Sequence, residues 1–465
     1  MPRATPRVAM PLALTLTATL LGLTSSPAAA VTPPRVDSSA LIRSAPVAPP
    51  EPTEQSHLCN TATLTRTTAN PTAAQSMMNL EEAWRFSRGA GQRVAVIDTG
   101  VTPHPRLGRV TAGGDYVSGG TGLEDCDAHG TLVAGIIAAR PSGSDAFAGV
   151  APAASIIGIR QSSSAFKARN NRRDDDSAPS VGSGFGSVRT LAHAIVRAVD
   201  LRATVINISE VACASSADKV DDRALGAAIR YAYERDVVVV AAAGNVTRDG
   251  ACRSQNPAPA AGDPTDWGSV TTIASPAWYS PYVLTVGSVD AASGTPSDFS
   301  LHGPWVGVAA PGTDIVSLDS ARGSNRLVSA QRGEEGPLPL IGTSFAAPYV
   351  AGTAALVRAR FPELSAREVM DRIIATAHAP GTGHDQRIGH GVVDPVAALT
   401  AEIPVELQDR PQSAPIAAPA PPAPPDHTAR NVAVAGAGIG AAVIAAVLAI
   451  ALPHRRVRKL DPDEF

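Results

Sequence analysis

The chain has 465 residues, 44% of them hydrophobic, and its 39 basic and 42 acidic side chains leave a net charge of −3. Single hydrophobic cores stop growing at roughly 250–300 residues, so a chain this long holds several domains or carries segments outside any core. The near balance of charge, without a long basic face in the body, argues against a nucleic-acid partner.

Residues 1–30 read as a secretory signal peptide: Arg3 and Arg7 precede an apolar run from Ala9 to Leu23, and Ala28-Ala29-Ala30 offers a cleavage site. An uncleaved anchor is the weaker alternative, because the run is short for a bilayer span. Residues 31–79 form an N-terminal extension whose first part, to about Pro52, is rich in Pro, Ala and Ser, so it is expected to be extended and to start no core.

Between residues 80 and 400, short β-branched runs alternate with helical patterns. RVAVID (93–98), ASIIGIR (154–160), TVINIS (204–209), VVVVAAAG (237–244) and YVLTVGSVD (282–290) are apolar enough for strands buried on both faces. SVRTLAHAIVRAVD places Val188, Leu191, Ile195 and Val199 on one helical face, and DDRALGAAIRYAYERD precedes the fourth strand. Alternation of this kind predicts an α/β fold with a parallel sheet between helices. Residues 162–184 break the pattern with a charge run, which predicts an inserted surface loop, either a solvated excursion or a lid beside a cleft.

The C-terminal region divides three ways. Residues 401–430 are a Pro-rich linker suited to an extended stalk. Residues 431–453 hold an uncharged run, Val432 to Leu452, of the length that crosses a bilayer. Residues 454–465 form a tail in which Arg455, Arg456, Arg458 and Lys459 make a basic cluster of the kind that stays cytoplasmic, which puts the body on the other side. Four cysteines in an exported chain suggest two bridges, with three pairings possible.

Three stretches could carry chemistry. In VAVIDTGV, Asp98 ends a strand, where ligand sites of open α/β sheets assemble, although an Asp before a Gly turn also serves simply to bond that turn. In CDAHGTLVAGIIAA, Asp127 is placed to cap a helix and His129 lies in its first turn; a lone histidine there is more often structural. In LIGTSFAAPYVAG, Ser344 begins a helix either as nucleophile or as cap, and Pro348 is expected in its first turn, where a missing N–H is tolerable. Taken in order, the three give Asp, His, Ser, the chain order of the subtilisin triad.

These motifs resemble the active-site motifs of the subtilisin-like serine proteases across about residues 80–399. The resemblance implies the subtilisin fold, a three-layer sandwich around a seven-stranded, mostly parallel sheet. It also implies an Asp98–His129–Ser344 triad, Asn245 of VVVVAAAGN as the oxyanion amide, and Ser209, Ala243 and Gly244 on the edges of a peptide-binding cleft. Subtilisin relatives often carry calcium, yet no cluster of acidic residues here compels one, Asp174-Asp175-Asp176 reads as a solvated run, and neither cofactor nor metal is expected. The family usually has glycine two residues after the edge serine; Glu210 and Val211 stand here instead, and Glu210 reads as a rim carboxylate or a bias on substrate choice. An ester-cleaving α/β-hydrolase fits poorly, since its elbow is G-x-S-x-G and its order begins with Ser.

Phe345 and Tyr349, where most relatives have Met and His, together with the stalk and single span, resemble the mycosins, membrane-anchored subtilisin-like proteases of type VII secretion systems. That likeness implies protein or peptide substrates, a type VII secretion membrane complex as partner, and the pairings Cys59–Cys126 and Cys213–Cys252. An extension bridged beside His129 is then a strap on the domain and not a removable propeptide. A structural subunit of the secretion complex, indifferent to proteolysis, is the competing role.

Overall fold

Continuous apolar runs form strands that can be buried on both faces, and such runs make up the interior of a seven-stranded central sheet. In the computed structural model its strands are β1 Arg93–Asp98, β2 Val110–Asp115, β3 Ser155–Arg160, β4 Val205–Ile208, β5 Val238–Ala242, β6 Leu284–Val289 and β7 Val306–Pro311. Their spatial order is β7-β6-β5-β4-β1-β3-β2, and every pairing is parallel. The structure describes residues 31–169, 181, 184–216, 221–247, 252–259, 263, 265–333, 335–403 and 428–454. The signal segment, Asp174–Asp176, most of the linker and the basic tail lie outside them.

Alternation along each strand sorts the core into two layers. Val94, Val96, Val238 and Val240 face one cluster, packed by helices α1 His129–Ala138, α4 Thr343–Arg360 and α5 Ala366–Ala375. Ala95, Ile97, Val239 and Ala241 face the other, packed by α2 Val188–Asp200 and α3 Arg223–Tyr233. Capping boxes start two of these helices, Ser187 with Thr190 on α2 and Ser365 with Glu368 on α5. Helix α4 is buried on all sides from Thr343 to Val357, which explains why its sequence shows no polar stripe.

The sheet positions the site by its connectivity. From β1 the chain proceeds to β2 and β3 on one side, then crosses to β4 and onward on the other, so the carboxyl end of β1 is a topological switch point. Asp98 is its last residue.

The N-terminal extension is woven into the body. Thr53–Gln55 pairs antiparallel with Phe166–Ala168, and Ala62–Thr63 pairs with Ala330–Gly333. Cys59 is bridged to Cys126 and Cys213 to Cys252, closing loops of 67 and 39 residues. Such closures each restrict the unfolded chain by about 4 kcal/mol. Residues 31–52, read as starting no core, nevertheless add to one: Val36 and Leu41 pack against the α2/α3 cluster and Arg43 stacks over Tyr231. The passage expected to be a surface loop from residue 162 begins ordered and buried at Ser162, Ser163 and Ala165 before its Phe166–Ala168 strand.

The second unit, from Asp409 onward, is described as one helix, α6 Thr428–His454. Its Thr428–Ile450 segment has a mean hydropathy of 2.4 and is long and apolar enough to cross a membrane.

Candidate active site

The strand end delivers Asp98 fully buried, and α1 begins with His129 above it. Asp98 Oδ1 accepts from the Thr99 backbone N–H at 2.8 Å and lies 2.7 Å from His129 Nδ1. A carboxylate so placed orients the ring and leaves Nε2 free for proton transfer. From α4, the Phe345 ring packs on the imidazole at a centroid distance of 5.3 Å. A further carboxyl backs this pair. Asp125 Oδ2 accepts from Thr131 N and Oγ1 at 2.8 and 2.6 Å, and its Oδ1 lies 2.8 Å from Thr99 Oγ1. Asp127, expected to cap α1, does not: Ala128 holds the cap position at φ 67°, and the Asp127 carboxylate accepts from the Ser164 N–H at 2.8 Å instead. Asp125 stands one residue before the CDAHGTLVAGIIAA string, and no pattern in the sequence marks it out.

Helix α4 brings the third side chain. Gly342 is its cap residue, at φ 150° and ψ 156°, so Ser344 is the second helical residue and is no cap itself. Its backbone N–H belongs to the first turn, where donors lack intrahelical partners. Asn245, just beyond β5, has Oδ1 held by Thr343 N at 2.9 Å and Thr343 Oγ1 at 3.1 Å, which aims Nδ2 the other way. A Cβ on Gly342 would lie 3.0 Å from Ser344 Oγ and 3.2 Å from Asn245 Nδ2, so the missing side chain opens the space between hydroxyl and amide.

Pro348 is not in the first turn of α4 but is its sixth residue. With no N–H to give, it leaves the Ser344 carbonyl without its helical partner. Ser209 fills that vacancy: its Oγ donates to Ser344 O at 2.8 Å and accepts from Asn207 Nδ2 at 2.8 Å. The proline in the sequence and the serine after β4 are thus two halves of one device that ties the end of β4 to the start of α4.

His129, Ser209, Glu210, Gly244, Asn245 and Ser344 line one cavity of about 330 Å³, which Asn60 of the extension also reaches. Ala243 does not line it; its side chain is fully buried in a third apolar cluster with Cys252 and Leu301, while Ala242 and Gly244 form the wall. A larger cavity of about 470 Å³ lies beside it, walled by the Cys59–Cys126 bridge, Asp125, Arg160 and Phe166.

Electrostatics set three groups apart. Burial disfavours a charged His129, but the Asp98 carboxylate outweighs it and pushes the imidazole up from 6.5 to about 9. Burial raises Asp125 to about 7 against the pull of its Thr131 and Thr99 hydrogen bonds. Burial, then the nearby Asp98 charge, raises Glu210 to about 8.

Residues 89–391 match the Subtilase family, Peptidase_S8. Mycosin-4 of Mycobacterium tuberculosis is 51% identical over 389 residues, 83% of this chain and 82% of its own. The crystal structure of MycP1 from Mycobacterium smegmatis superposes with a TM-score of 0.75 at 45% identity, covering 84% of this chain and 100% of that one. A chain in the structure of an intact ESX-5 inner membrane complex does so at 0.75 and 44%, covering 91% and 100%. The chain belongs to the subtilase family and is a subtilisin-like serine protease. Within that family it stands with the mycosins.

Proposed function

We propose that this chain is a membrane-anchored serine endopeptidase of a type VII secretion complex, with Ser344 as nucleophile, His129 as base, Asp98 as its orienting carboxylate, and Asn245 with the Ser344 N–H as the oxyanion hole. The observation that carries this reading is the short Asp98–His129 hydrogen bond in a cavity also lined by Ser344 and Asn245. His129 takes the Ser344 proton as the hydroxyl attacks a peptide carbonyl, then returns it to the leaving amine. The start of α4 favours the negative charge that develops on the carbonyl oxygen. A peptide runs beside Ser209 and Gly244 as an added strand. The α6 segment anchors the chain, and the basic residues beyond it keep the tail in the cytoplasm, with the protease outside.

Asn245→Ala is expected to lower kcat by about 10²–10³, the loss seen when subtilisin forfeits its own oxyanion asparagine, with little change in KM; steady-state kinetics on a peptide amide checks it. The pH dependence follows from His129, which must be neutral to accept a proton. Hydrolysis should therefore climb as pH rises through about 9. The folded-state value exceeds the ordinary 6.5, so its contribution to stability is complete below 6.5 and is lost as pH rises through about 9. A kcat/KM profile already flat above pH 7 would contradict the raised value of His129.

The likeness to a chain within an ESX-5 assembly supports a second, structural role. A strain carrying Ser344→Ala separates the two: secretion that survives this change but fails on deletion of the protein makes assembly, not hydrolysis, the essential contribution. Secreted proteins that change length in the same strain identify substrates.

A further inference from the structure

Glu210 occupies a position that peptide hydrolysis does not require to be acidic. It follows β4, while Ser162 follows β3, and the Ser162 hydroxyl donates to Glu210 Oε2. Because β1 lies between those two strands, the bond bridges the end of β1, where Asp98 stands. One ligand atom each of Glu210, Asp98 and His129 lie within 4.8 Å of one another. Asp98 already satisfies Nδ1 at 2.7 Å, so Glu210 is a second carboxyl against the same ring. It also walls the cavity that holds Ser344.

We propose that Glu210 is a positioning residue for His129: held by the buried Ser162 hydroxyl at the wall of the cavity, its carboxyl is a second restraint on the base beside Asp98. This rests on reading His129 as the base. The groups facing His129 are Asp98 from β1, Asp125 from the loop before α1, Glu210 from beyond β4, and the uncharged Phe345 ring from α4, while Asp127 of the same loop acts on Glu210. An anion within about 5 Å favours the imidazolium, which cannot accept the serine proton. Once ionised, Glu210 adds to the pull of Asp98 on the ring and so prolongs that inactive form.

The test uses the full-length protein in detergent with two readouts. The first is the His129 ring titration by NMR in Ser344→Ala, compared with Glu210→Gln/Ser344→Ala; the second is the pH dependence of fluorophosphonate labelling in wild type and Glu210→Gln. We expect Glu210→Gln to lower the midpoint by up to about one pH unit, with faster labelling above pH 8, where Glu210 is ionised, and little change at pH 7. Glu210→Asp, which keeps the charge, should move the midpoint back toward wild type, and equal thermal midpoints show that each variant is folded. An unchanged or higher midpoint in Glu210→Gln overturns the proposal. So does a defect confined to peptides bearing Lys or Arg with the midpoint unmoved, which would make Glu210 a selector of substrate charge. Absence of labelling in both proteins would count against Ser344 as nucleophile, while the ring titration would still decide the role of Glu210.

Discussion

Asp98→Asn should lower kcat about 10⁴-fold while the protein still folds. The asparagine keeps the size of the side chain and an oxygen for the Thr99 N–H, so the backbone turn at the end of β1 survives. What it loses is the charge. Either its amide faces the ring and forces the wrong tautomer, or its oxygen accepts from Nδ1 without stabilising the imidazolium that forms as the serine proton arrives. Asp98 contributes most to the rise of His129 to about 9, ahead of Glu210 and Asp125, so the residual activity should also titrate at lower pH than wild type. Kinetics on a peptide ester across pH 5–10, together with a thermal melt, checks both parts; a loss under tenfold would remove Asp98 from the triad.

Gly342→Ala should silence the site more completely than loss of the oxyanion amide alone, by more than about 10³-fold. Two costs coincide. The backbone at φ 150° is one that L side chains rarely adopt, which strains the start of α4 by about 1–3 kcal/mol. The new methyl also enters the space between Ser344 Oγ and Asn245 Nδ2 that a tetrahedral oxyanion has to use. Hydrolysis and covalent labelling should therefore fall together, and retention of wild-type labelling would show that the oxyanion does not bind there.

Much of this site was legible before any coordinates. Buried parallel strands are continuous β-branched runs, so β1, β3, β4, β5 and β6 were readable to within two residues. The two strands missed, VTAGGD and VGVAAP, are the edges of the sheet, where Gly, Ala and Thr replace the Val and Ile that mark a central strand. Asp98, His129 and Ser344 were singled out because each stands in a local string with a structural reason of its own, and Asn245 only through the resemblance of its string to a family motif. Contacts between strings were not readable. Ser209 filling the carbonyl freed by Pro348 joins residues 135 positions apart, and the strap strands have only two or three residues, too few for a periodic signal. The errors over Asp127 and Pro348 have one origin. Each rested on a helix boundary, and a shift of one or two residues decides whether a side chain caps or kinks.

The most direct test is to treat the folded full-length protein with a fluorophosphonate at pH 9 and determine the mass and position of the adduct. One adduct per chain, mapped to Ser344 and abolished by Asp98→Asn and by prior unfolding, is the predicted result. A cleft shown to be open to peptide that leaves Ser344 unmodified would contradict the assignment of this chain as a serine endopeptidase acting through Asp98, His129 and Ser344.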